Sequence, residues 1–236
     1  MGARISYYKN NFKKGLKDII FENFSAFRQW YLNTDKSSME EFDEPFGNEI
    51  LKTYLNQNTD FKSDFHKLDK KLIDELISDF IGDYCDSADD GKEIFEFFGS
   101  TMNKWRYNRS SEMVLKTNDE DFIRLWNFII IGRSLSDNGD FNSFTNHHKI
   151  GFLTFAEHRV LKAKIETHFG NIEQMKQKYW TYDERLAEQI AIANSKNGGY
   201  SLTGHNPKSS GLEYVLEVLN EIEADENELI TAIDQD

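Results

Sequence analysis

The sequence predicts an all-α protein: a bundle-like single domain over residues 1–236, with room for one short strand near its N-terminus. Two observations of different physical origin lead there. Apolar residues recur along much of the chain at three- and four-residue steps, the period at which one face of a helix comes round. Five pairs, a Ser or Thr with Glu three positions later, stand where a helix could start: Ser38/Glu41, Thr117/Glu120, Thr154/Glu157, Thr181/Glu184 and Ser210/Glu213. In such a capping box the hydroxyl and the carboxylate each satisfy a backbone N–H that a helix start would otherwise leave unpaired.

Taken in order, residues 3–8 (Arg4-Ile5-Ser6-Tyr7-Tyr8 at their centre) suit the short strand. Phe12, Leu16, Ile19, Ile20, Phe24, Phe27 and Trp30 then follow the helical period, as one long helix or two shorter ones. Leu72, Ile73, Leu76, Ile77, Phe80, Ile81, Tyr84 and Cys85 make the clearest apolar stripe of the chain. Ile94, Phe95, Phe98, Met102 and Trp105 predict another helix. Phe122–Ile131 has no polar face to speak of and is expected as the central buried helix. A helix from Thr154 would close near Gly170, a residue suited to the positive φ of a C-terminal cap.

Turn-forming residues place loops at 86–91, 134–146 and 194–210. The last holds Asn197-Gly198-Gly199 and Asn206-Pro207, so 197–210 is expected to be a flexible connection to a C-terminal helix. A split near residue 135 is the alternative organisation. No internal repeat is visible.

One Cys in 236 residues excludes a disulfide framework and a Cys-based zinc site, and points to a reducing, cytoplasmic setting. No apolar run is long enough to span a bilayer. Met1-Gly2-Ala3-Arg4-Ile5-Ser6 fits a loose myristoylation pattern but lacks the polybasic or second lipid signal that stable anchoring requires.

The formal charge is −13, from 28 basic and 41 acidic side chains. That balance argues against direct nucleic-acid binding, which needs clustered Lys and Arg, and against anionic membrane surfaces. The charge is also unevenly spread. Residues 41–100 carry six basic and sixteen acidic side chains, whereas residues 101–208 carry fifteen basic and twelve acidic. The last 28 residues hold nine acids and neither Lys nor Arg.

Plainer roles account for most of the residues that could carry chemistry. His147-His148 lie in a polar loop, and adjacent side chains diverge too far to share a metal. His158 and His168 stand three helical turns apart, about 15 Å, too far to hold one ion, and are read as edge-of-core residues. Glu157 beside His158 has a sufficient role in its capping box. Cys85 falls on an apolar stripe and reads as a buried thiol. Glu93-x-x-Glu96 is similar to the first metal-binding motif of the all-α nucleotide pyrophosphohydrolases, but Leu115 stands where the second motif, begun by Glu112, requires Asp. No catalytic residue, metal site or cofactor is therefore expected. An enzyme or small-ligand protein with a Mg²⁺ or phosphate site near 83–90 or 198–211 is the alternative, with Lys208, Ser209, Ser210 and Gly211 as the anion-binding residues at a helix start.

Two acidic rows remain. Glu75, Asp79, Asp83 and Asp86 fall within about an 80° sector of a helix, and Glu213, Glu217 and Glu221 form a second row. Neither row has a Lys or Arg four residues on to relieve it, and like charges at this spacing cost roughly 0.2–0.5 kcal/mol per pair. They are expected to bind a basic protein partner, as bacterial immunity proteins and toxin inhibitors do when they cover the positive active site of an enzyme acting on nucleic acid. The protein's own basic segments could serve as that partner by intramolecular docking.

Overall fold

The computed structural model describes residues 4–10, 80, 95–101, 104–134, 150–180, 185, 189, 211–225 and 228–234. In chain order these form strands β1 (Arg4–Asn10) and β2 (Phe95–Thr101) and helices α1 (Lys104–Leu115) and α2 (Glu120–Ile130). Strand β3 (Ile150–Leu153), helices α3 (Phe155–Phe169), α4 (Ile172–Tyr179) and α5 (Leu212–Asp225), and strand β4 (Glu228–Asp234) follow. The described residues are mainly helical, as the apolar period predicts. They also build a four-stranded sheet in the order β2-β1-β4-β3, so all-α does not describe them.

Every pairing in that sheet is antiparallel. β1, the one strand expected from the sequence, pairs with β2 on one side and with β4 on the other, where Arg4 stands opposite Asp234 and Asn10 opposite Glu228. Tyr7 and Tyr8 pair with Gly99 and Phe97, so Phe98 is the extra residue of a bulge in β2. β2 corrects the helix expected through Ile94, Phe95, Phe98, Met102 and Trp105. Only Phe95-Glu96-Phe97 alternates at the strand period, and so short a run cannot separate the two periods by itself. Trp105 belongs to the next element, α1.

α2 is the helix expected as the core, and it buries Phe122, Leu125, Trp126, Phe128, Ile129 and Ile130. Its start differs from the expected Thr117/Glu120 box. Asp119 is the N-cap, and its carboxylate accepts the Phe122 N–H. Thr117 turns back instead, donating to the Val114 carbonyl and accepting from the Asp119 N–H. α2 packs on α1, α3, β3 and β4. At its far end the Thr231 hydroxyl of β4 donates to the Ile129 carbonyl at 2.9 Å, satisfying one of the acceptors a helix C-terminus leaves open.

α3 begins with the expected box: Thr154 and Glu157 make both reciprocal hydrogen bonds. Gly170 ends it at φ 86°, ψ −169°, a positive-φ conformation that glycine adopts at no Cβ cost, though not the left-handed helical one. α4 opens with a second complete box, Asn171/Gln174, the Asn and Gln version of the same pattern. Side chains from α1 to α5, β1, β3 and β4 meet in one apolar cluster, with Trp126, Tyr7, Phe122 and Phe128 among its largest fully buried members. Phe80 is helical and buried, in keeping with its apolar stripe; the rest of that stripe lies outside the described residues. The Ser38/Glu41 and Thr181/Glu184 boxes lie outside them as well.

Candidate interaction surface

α5 carries the second acidic row, and its surroundings decide what the row can do. Leu212, Val215, Leu216, Val218, Leu219 and Ile222 bury its apolar side, but burial does not stop there. Glu213 is 5% exposed, and its Oε1 accepts a 2.7 Å hydrogen bond from the indole Nε1 of Trp180, which follows α4. Glu217 is half-buried, and only Glu221 of the three is exposed. The expected outward row is thus graded from interior to surface, because α3, α4 and β4 all pack against α5. Glu213 is a buried acceptor for an indole donor and not part of an open acidic face. Between them Tyr214 sits edge-on to Tyr7, with ring centroids 5.4 Å apart. Burial first, then the charges of Glu217 and Glu221, push its hydroxyl pKa up.

Glu213→Ala leaves a buried indole N–H without its acceptor and is expected to cost about 1–3 kcal/mol. Glu213→Gln keeps an acceptor oxygen and is expected to cost less; the ordering of the two variants in urea unfolding checks the assignment.

The C-terminal acids also find bases within the chain. Glu223 of α5 pairs with Lys162 and, at 3.5 Å, with Arg159, both on α3. The Lys162 hydrogen bond is the main reason its carboxyl lies below the usual range. Glu223 lies outside the row Glu213, Glu217 and Glu221, for which docking on the chain's own basic segments is the alternative expectation. Gly211, just before α5, has φ 84°, and a Cβ there would meet Ser110 Oγ of α1 at 2.4 Å. It is a buried packing position whose carbonyl accepts the Val215 N–H. Lys208, Ser209 and Ser210, its companions in the expected anion site, lie outside the described residues. The whole first row, Glu75, Asp79, Asp83 and Asp86, lies outside them too, as do Cys85, Glu93 and His147-His148.

Two further charged groups were not singled out by sequence. Arg133 is 2% exposed, yet it is fully engaged. Its Nη1 and Nη2 donate to Glu157 at 2.7 and 2.9 Å, Nη1 also reaches the Phe152 carbonyl at 3.1 Å, and the guanidinium lies 4.0 Å from the Phe128 ring centre. Burial would raise the Glu157 carboxyl pKa, but Arg133 and the Thr154 cap outweigh it and hold the carboxyl below its ordinary value. Asp119 joins two helices. Besides capping α2 it accepts from Lys164 at 2.6 Å and His168 at 3.1 Å, both on α3. Those bonds, led by Lys164, keep its carboxyl far below the usual range. His168 also stacks on Phe122, with ring planes 14° apart. His158, by contrast, is wholly buried, with its ring edge-on to Phe155. It is a core residue rather than an edge-of-core one.

The three carboxyls held low share one pH consequence. Each unfolded group, near 3.8 for Asp and 4.5 for Glu, binds protons more readily than its folded counterpart. Their stabilisation is therefore complete above those values and is lost as pH falls towards the folded ones. Asp119→Asn, which keeps a capping oxygen, is expected to be less stable than the parent at neutral pH, with the gap closing below about pH 4. Urea titrations across that range measure it, and a gap that does not change with pH would refute the ion-pair account.

Glu96 lies in strand β2 and Glu112 is exposed on α1, so Glu93-x-x-Glu96 does not sit on one helix as the pyrophosphohydrolase motif requires. Among the described residues no group of three or more His, Cys, Asp or Glu is arranged to hold a metal ion. No helix among them is long and apolar enough to cross a membrane. The described fold is that of a helix-rich α+β protein, a class that names no activity by itself. No family model, curated protein or solved structure matches the chain.

Proposed function

We propose that this chain is a non-enzymatic acidic binding protein that neutralises a basic protein partner, in the manner of an immunity protein or toxin inhibitor. The observation that carries the reading is the charge: a net −13, of which residues 41–100 supply an excess of ten acids. The organisation of α5 sharpens it. Glu213 and Glu223 are engaged within the chain by Trp180, Lys162 and Arg159, so the C-terminal acids are in part spent internally. The excess of acid in the sequence then lies chiefly in the 41–100 block, which includes Glu75, Asp79, Asp83 and Asp86, and Glu221 is the exposed acid of the α5 row. Such an excess accelerates capture of an oppositely charged partner and makes affinity depend steeply on salt.

The test combines charge reversal with ionic strength. A basic protein captured by the chain at low salt, then identified and purified, is expected to bind less tightly as salt rises. Its affinity is expected to fall at least tenfold for the combined variant Glu75→Lys, Asp79→Lys, Asp83→Lys, with the fold checked by circular dichroism. Unchanged affinity in that variant, in a complex indifferent to salt, would remove this acidic row as the interface. Thermal stabilisation by Mg²⁺ or a nucleotide, without any such partner, would speak for a ligand-binding protein instead.

A further inference from the structure

We draw no further inference here: the strongest candidate, the Asp119–Lys164–His168 cluster that ties the start of α2 to α3, is already accounted for as a helix cap and interhelical ion pair, and nothing in the structure points to a ligand beside it.

Discussion

Arg133→Ala is expected to lower the folding free energy by about 3–5 kcal/mol, the range seen when one member of a buried ion pair is removed. The reason is what stays behind. Glu157 would keep a side chain only 21% exposed but lose two charge-assisted hydrogen bonds, and the Phe152 carbonyl would lose its side-chain donor. Arg133→Lys is expected to rescue little, because one ammonium cannot span both carboxylate oxygens and also take the guanidinium's place over the Phe128 ring. The double variant Arg133→Met, Glu157→Gln removes both charges and retains an acceptor for the Thr154 box, so it is expected to be more stable than Arg133→Ala. The pH response gives an independent readout. Without Arg133, burial at Glu157 is opposed only by the Thr154 hydrogen bonds, so acid should weaken the single variant less than it weakens the parent. A loss below about 1 kcal/mol, the value of an exposed pair, would show that water reaches the pair and that the account is wrong.

Gly151→Ala is the second large effect, and it acts through backbone. A methyl group at this β3 position would lie 2.2 Å from Thr231 Oγ1, 2.4 Å from the Phe128 carbonyl oxygen and 2.9 Å from Ile129 Cα. The first neighbour is a side chain that can be trimmed. The other two belong to the last turn of α2 and can yield only if the helix moves away from the sheet. Overpacking of this kind costs about 1–3 kcal/mol, occasionally more, and the upper end is expected here. Combining the change with Thr231→Ala removes the hydroxyl clash but also the 2.9 Å bond to Ile129, so it should not restore stability. A Gly151→Ala protein within about 0.5 kcal/mol of the parent, the spread of neutral surface changes, would mean that helix and sheet are not so closely packed.

Some elements could be read locally, and the reasons are visible in particular residues. Thr154 and Glu157 satisfy each other across one turn, so their hydrogen bonds needed nothing distant for their prediction. α2 was evident because eight of the ten residues from Phe122 to Ile131 are apolar, which leaves no polar face for solvent. The failures have different causes. Asn171/Gln174 makes its box with an amide pair, outside the pattern of Ser or Thr followed by Glu. Thr117 lost the capping role to Asp119, two residues on, which could reach Lys164 and His168 at the same time. Of the candidate surface, only the acidity could be read in advance; which acids it exposes could not.

By itself the sequence determined the charge and its blocks, the strand at the N-terminus, the buried character of α2 and the start of α3. Each depends on composition or on residues within one turn of one another. Only the tertiary structure decided that Phe95–Thr101 and Glu228–Asp234 are strands, because each pairs with β1, 85 or more residues distant. It also decided that Glu213 faces inward to Trp180 while Glu221 faces water. A helix row specifies an angle, and what fills the space at that angle is set by the elements packed against it.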